Sequence, residues 1–329
     1  MVSTDLGTPS QRLTGHRLTG IWKFLSRSLD HWDAAARSTK EYLAVVDTRA
    51  SGSWESRTTR VQLAGFPGLF GEGSFTSHGM GVWQDEVDRE RLRLFIVNHR
   101  PSIDYSTSPP SYPDNSQTGA NSTIEIFETR LGSDTADHIR TVAHPLIRTP
   151  NDVEPASEDT FYVTNDHHVK SGFRKILDML LPLGDLAYCD AQDQCKVALS
   201  GLQFANGIDA FKSVKGKQSY ILSQTASPNK LILEPRGDNT LQIIDTVNVP
   251  MSSDNVYVSP KSNKAYMAMF PDALGLMSGH FKKPKTEGAK ALIGVIEKRD
   301  PNQEKEAFFG NKWKVSCGRK FGTGANTRK

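Results

Sequence analysis

Four places in the chain carry a polar pair followed by an apolar residue: His78-Gly79-Met80, Asn151-Asp152-Val153, Asn206-Gly207-Ile208 and Asp254-Asn255-Val256. The side chains in these pairs are amides, carboxylates and an imidazole. Amide and carboxylate oxygens are the donors that a hard cation takes, six to eight at a time in the case of calcium. Imidazole titrates near neutrality and is therefore suited to taking a proton from water. Gathered at one point, such a set would hold a cation, polarise a carbonyl and supply a base beside it. Scattered along a chain, Asn-Gly and Asn-Asp are also ordinary turn dipeptides, so the chemistry depends on whether the fold brings them together.

The elements needed to do so are legible. Each pair precedes a short loop and then a strand-like run with a polar end: RLRLFIVNH, TFYVTNDHH, SYILSQT and AYMAMFPD. The copies lie roughly 50 to 70 residues apart, the scale on which propeller blades repeat. A four-stranded blade cannot bury both faces alone, so blades stack around a central channel, and the start of each innermost strand faces that channel. Runs rich in aromatic and β-branched residues predict strands over 42–47, 92–97, 123–129, 160–164, 219–223, 230–233, 241–247, 265–269 and 291–297. Helical spacing is confined to 174–181 and, through Trp22, Leu25, Leu29 and Trp32, to residues 20–35. The prediction is an all-β chain of the propeller type.

Composition narrows the function. With 329 residues, 37% of them hydrophobic, the chain can form one large domain. A net charge of +3 marks no polyanion-binding face, so no nucleic-acid partner is expected, and no stretch has the roughly 18 apolar residues of a membrane helix. MVSTDLGTPSQRLTG has no apolar core of a signal peptide. Cys189 and Cys195 bracket the turn DAQDQ and are placed to close a local disulfide where the compartment permits, leaving Cys317 over. No zinc spacing, G-x-S-x-G elbow, P-loop or H-E-x-x-H occurs, and Gly71-Glu72-Gly73 lacks the third glycine of a dinucleotide fingerprint. The Lys282–Lys285 run and the basic tail read as solvated loop and end.

Six ordered segments, SHGMGVWQDE, LFIVNHRP, NSTIEIFE, NDVEPASEDTFYVTNDHH, LQFANGI and SDNVYVSP, resemble the paraoxonase/arylesterase family, its fungal members above all, within the six-bladed propellers that include gluconolactonases. The likeness runs from about residue 29 to about residue 297. It implies a calcium-dependent hydrolase of aryl esters and lactones with two calcium ions in the central tunnel. Position by position, Asn151, Asn206, Asp254 and Asn255 correspond to ligands of the catalytic ion. Asp152 and the backbone carbonyl of Met80 correspond to ligands of the structural ion. His78 and His99 match the pair proposed to activate water, and Asp166 and His167 match a motif close to the metal sites.

The chain also departs from that pattern. Family members carry an adjacent acidic pair early in the fold, one acid for each calcium, and residues 1–26 show nothing equivalent. The expectation is therefore of calcium sites each short of one carboxylate, with lower affinity. It extends to a divergent segment over 1–28, a propeller over 29–300 with irregular first and last blades, and a disordered basic tail over 301–329. Both ends are expected to be truncated or mis-spliced relative to an active homologue. Two alternatives stand beside hydrolysis: a degenerate propeller that keeps a binding surface, and a synthase-like relative that condenses. Substrate choice would fall to loops at the tunnel mouth, with 102–119 and 170–185 as candidates. The compartment is left open, since the family resemblance allows a secreted or membrane-associated protein.

Overall fold

The computed structural model describes residues 11–16, 41–68, 75–271, 292–298 and 313–320, apart from 105, 112, 114, 173, 176–180, 214, 215 and 263. Three strands come first: β1 (Gln11–His16), β2 (Tyr42–Asp47) and β3 (Thr58–Ala64). Four antiparallel meanders follow. The first blade is β4 (Ser77–Gln84), β5 (Arg91–Arg100), β6 (Asn121–Arg130) and β7 (Thr135–Val142). The second is β8 (Pro150–Pro155), β9 (Phe161–Asn165), β10 (Gly184–Cys189) and β11 (Cys195–Leu202). The third is β12 (Ala205–Lys212), β13 (Gln218–Gln224), β14 (Asn229–Pro235) and β15 (Leu241–Asn248). The fourth is β16 (Ser252–Val258), β17 (Ala265–Phe270), β18 (Leu292–Lys298) and β19 (Trp313–Lys320). β3 pairs in parallel with β7, so β1–β3 extend the outer edge of the first blade into a seven-stranded sheet.

The second strand of each blade shows why the blades stack. Side chains alternate across a strand with a period of two. In β5, Leu92, Leu94 and Ile96 pack with Leu43, Val61 and Phe75, whereas Phe95 and Val97 pack with Val153, Phe161 and Val163 of the second blade. In β9, Phe161 and Val163 face the first blade while Tyr162 joins Tyr220 and Leu222 of the third. In β13, Tyr220 and Leu222 face the second blade and Ile221 joins Val256, Met267 and Met269 of the fourth. These strands are buried on both faces, which is why they appear in the sequence as continuous apolar runs.

The innermost strands stand side by side: β4 beside β8, β8 beside β12, β12 beside β16. The arrangement is all-β and propeller-like, with four complete blades among the described residues. Every strand expected from aromatic and β-branched runs coincides with an observed one. Cys189 and Cys195 form a disulfide that closes the β10–β11 hairpin. The basic stretch expected as a tail contains β19, paired with β18. The helical spacings over 20–35 and most of 174–181 fall outside the described residues. No helix among those described is long and apolar enough to cross a membrane.

Candidate functional site

All four polar pairs sit at the same structural irregularity. The ladder between the first two strands of each blade breaks register between Ser77 and Met80, Pro150 and Val153, Ala205 and Ile208, and Ser253 and Val256. A bulge frees residues from the ladder and re-aims their side chains. Here it does so at His78-Gly79, Asn151-Asp152, Asn206-Gly207 and Asp254-Asn255.

The two glycines in the set are explained by their neighbours. A Cβ on Gly79 would lie 2.4 Å from Asp152 Oδ1 and 2.5 Å from the carbonyl oxygen of Asn151. A Cβ on Gly207 would lie 2.6 Å from the Cα of Asn255 and 2.7 Å from the amide nitrogen of Val256. Each glycine-bearing bulge thus nests against a bulge with two polar side chains, so residues some 50 to 70 apart in sequence meet at the blade seams.

Carboxylates fasten those seams. Asp152, buried in β8, accepts hydrogen bonds from its neighbour Val153 N (3.0 Å) and from Ile208 N of the next blade (3.1 Å), while its own amide donates to Thr164 Oγ1 (3.0 Å). Burial pushes its carboxyl up to about 8 against the lowering effect of those two donors, and the negative charges of Asp209 and Asp254 push the same way as burial. Asp209 repeats the device one blade on, accepting from Ala210 N (2.8 Å) and from Val258 N of β16 (2.6 Å). Burial raises its carboxyl too, and that of Glu154, which also feels the charges of Asp209 and Asp152.

Asn151 and Asn206 are buried; Asp254 and Asn255 are half-buried. Asn206 Oδ1 is a buried acceptor with no hydrogen-bond donor. Met80 follows the first register break, opposite Ile96, with its side chain in the core. Asp166 and His167 are stapled to the approach to Asn151: Asp166 N donates to Thr149 O (3.1 Å), and His167 N donates to Thr149 Oγ1 (3.0 Å). The His167 ring stands edge-on to Phe204.

The two candidate catalytic histidines are in contact. His78 Nδ1 lies 2.9 Å from His99 Nε2, and His99 Nδ1 lies 2.8 Å from Ser122 Oγ. The ladder places His99 directly opposite Ser122, so β4, β5 and β6 each contribute one member of a hydrogen-bonded row. Sequence reasoning missed Ser122, which lies inside the segment NSTIEIFE and was given no role there. It also passed over Asp209 and Glu154; their signal was an acid in an inner strand otherwise flanked by small or apolar residues.

No three His, Cys, Asp or Glu side chains among the described residues converge as a metal-binding group. Amides make up most of the candidate oxygen set. A donor-free buried amide oxygen beside buried carboxylates is a chemical fit to a hard cation.

Comparison with known proteins places this geometry in context. The arylesterase family model matches residues 110–301. The chain is 28% identical over 232 residues to serum paraoxonase/arylesterase 1 of Mus musculus, covering 69% of this chain and 58% of that one. It is 27% identical over 210 residues to serum paraoxonase/arylesterase 2 of Gallus gallus, covering 63% of this chain and 52% of that one. The match therefore spans between half and three-fifths of these relatives' length. Among solved structures, a putative gluconolactonase aligns at 13% identity over 78% of this chain and 81% of its own, with a TM-score of 0.41.

Proposed function

The chain belongs to the arylesterase family, and from that premise we propose that it hydrolyses small aryl esters and lactones at the gathered bulges, with calcium as its metal. The observation that carries this reading is the coincidence of all four register breaks with the four polar pairs, together with the donor-free Asn206 Oδ1. In this reading Asn151, Asn206, Asp254 and Asn255 hold the catalytic ion, and Asp152 with the carbonyl of Met80 holds a structural one. A ring of six blades belongs to the same proposal, with β1–β3 contributing to a further blade. A bound calcium ion supplies Lewis acidity toward a substrate carbonyl oxygen.

The protein's own groups handle the proton. With His99 Nδ1–H donating to Ser122 Oγ, His99 Nε2 accepts from His78 Nδ1–H. That tautomer makes Nε2 the basic nitrogen of His78. Water then forms a bond to the carbonyl carbon while His78 Nε2 takes its proton. The bond from that carbon to the leaving oxygen breaks, and the proton passes from His78 to that oxygen. Half-burial of His78 and His99 keeps the row ordered while leaving the outer imidazole reachable.

A second reading, binding without turnover, is favoured by the few carboxylates among the candidate ligands. One experiment separates the two. Calcium is titrated while thermal unfolding is followed, and phenyl acetate and a simple lactone are assayed with and without chelator. Ligand at about 100 times its dissociation constant adds roughly 2.7 kcal/mol of stability. The proposal expects calcium to raise the unfolding temperature, chelator to abolish turnover, and Asn206→Ala to remove both effects. Calcium-dependent stability without turnover would favour binding alone; no response to calcium in either measurement would defeat the calcium hydrolase and leave the degenerate propeller as the reading that stands.

A further inference from the structure

The polar ends of the second strands do a job that the reading above leaves unassigned. Asn98 lies two residues before the end of β5, Asn165 closes β9 and Gln224 closes β13. Each is buried. Each turns its side-chain oxygen back to the chain entering the innermost strand of its own blade. Asn98 Oδ1 accepts from Thr76 N (3.0 Å), two residues before His78. Asn165 Oδ1 accepts from Arg148 N (2.9 Å) and Thr149 N (3.1 Å), just before Asn151. Gln224 Oε1 accepts from Gln203 N (2.8 Å), three residues before Asn206.

In two of these blades an acid on the third strand sets the sense of the amide. A carboxylate can only accept, so the NH2 group must face it and the oxygen must face the entry segment. Glu125 accepts Asn98 Nδ2 (2.9 Å), and Asp185 accepts Asn165 Nδ2 (2.7 Å). Glu125 is itself fully buried yet kept ionised. Burial pushes its carboxyl up, but hydrogen bonds from His138, Thr141, Asn98 and Thr123 outweigh it and hold it below the ordinary glutamate range. In the third blade the charge is reversed and the contact moves to the backbone, with Lys230 Nζ donating to Gln224 O (3.1 Å).

We propose that these amides are positioning residues for the bulges, and that Asn98, oriented by Glu125, sets the placement of His78 against His99. The link is short. Thr76, whose amide Asn98 holds, returns its carbonyl to the backbone N–H of His99 (2.9 Å). Asn98 thereby ties the segments carrying both imidazoles into one frame, which the ladder alone does not do, because it is broken between Ser77 and Met80. The catalytic consequence rests on the hydrolase reading; the positioning itself does not.

The test is an exchange of amide and acid. Asn98→Asp alone sets carboxylate against carboxylate. Asn98→Asp with Glu125→Gln restores a donor facing an acceptor, keeps the total charge, and still presents an oxygen to Thr76 N. With 15N-labelled histidine, the ring signals of His78 and His99 are expected to shift in Asn98→Asp and to return in the double variant. On phenyl acetate, kcat is expected to fall at least tenfold in the single variant with KM within threefold, and to recover to within threefold of the parent in the double variant. Unmoved histidine signals in a folded single variant, or displaced signals in a folded double variant, overturn the proposal. Should Asn98→Asp not fold, hydrogen exchange on the unaltered protein decides: the Thr76 amide is expected to exchange at least a thousandfold slower than an open loop amide, and exchange at the loop rate overturns the inference. The spectra and exchange need no turnover, so a parent that hydrolyses nothing defeats the functional reading while leaving the positioning claim to be judged by them.

Discussion

Gly207→Ala places one methyl group at the seam between β12 and β16. Its Cβ would lie 2.6 Å from the Cα of Asn255, 2.7 Å from the amide nitrogen of Val256 and 3.1 Å from the carbonyl carbon of Asn255, where ordinary contact begins at 3.4 Å. All three neighbours are backbone, so no side chain can swing aside. The seam must open by somewhat under an ångström. Overpacking of this kind costs about 1–3 kcal/mol, and the rigid neighbours place Gly207→Ala toward the upper end. The matched control is Gly237→Ala, where nothing lies within 4 Å and no left-handed backbone is required. There the smaller entropy of the unfolded chain should leave stability unchanged or raise it by about 0.4–1 kcal/mol. Urea unfolding of both variants beside the parent measures the difference. A Gly207→Ala protein within about 0.5 kcal/mol of the parent would refute the seam argument, and with it the claim that the bulges meet by close backbone approach.

Three further outcomes follow from the same geometry. His78→Gln should lower kcat by about a hundredfold or more, the usual range for a general base, whereas Ser122→Ala, which removes only the orienting hydroxyl, should lower it about tenfold; steady-state assays on phenyl acetate check the order. Burial lowers the fully buried Lys230 ammonium to about 7, against an attraction from Asp254. The unfolded chain therefore binds more protons between that value and the ordinary lysine value near 10.4, so stability should rise with pH across that window, by on the order of 1 kcal/mol per unit. Lys230→Met should flatten the rise, as unfolding curves from pH 7 to 10 will show. Arg93 is little exposed and bonds Glu128, Glu158 and Asp159 across the first two blades, so Arg93→Ala should destabilise by about 2–4 kcal/mol. Arg130, well exposed and paired with Asp88 and Glu90, should change stability by less than about 1 kcal/mol when made Ala.

Much of this was legible because the informative residues are of unusual types for their place. A buried second strand has to be apolar on both faces, so 92–97 and 219–223 announce themselves. The polar pairs stand out because each precedes such a run, roughly 50 to 70 residues after the last. Outer strands were harder: β11 exposes Lys196, Val197 and Ser200 and carries no run long enough to notice. The bulges were hidden for a different reason. A dipeptide shows that the chain can turn, but only the partner strand shows that a ladder slips there. Ser122 and Glu125 were missed because their roles are set across strands, by register, and local spacing does not encode register. His78 and His99 were expected to act as a pair from resemblance alone; their contact at 2.9 Å gives that pairing a geometry.

In the proposed reading, the seam carboxylates would tie ion binding to blade packing. Asp152 holds Ile208 N and Asp209 holds Val258 N, and these bonds are strongest when the acids are ionised, the state that burial opposes. A cation at the neighbouring amide oxygens would favour the ionised form and so tighten both seams. Stability and calcium affinity then rise together, by linkage. Asn206→Ala separates the two effects. Without calcium, Asn206 Oδ1 has no donor to lose, and removing an unsatisfied buried acceptor relieves its desolvation penalty of about 1–3 kcal/mol, offset by the small cavity left behind. The calcium-free variant should therefore be as stable as the parent or slightly more so. With calcium in excess the order should reverse, because only the parent gains the binding increment. Unfolding measured with chelator and then with calcium gives both halves. A variant less stable than the parent by more than about 1 kcal/mol in chelator would show that Asn206 serves the fold directly, and would break the argument that its oxygen is held for a cation.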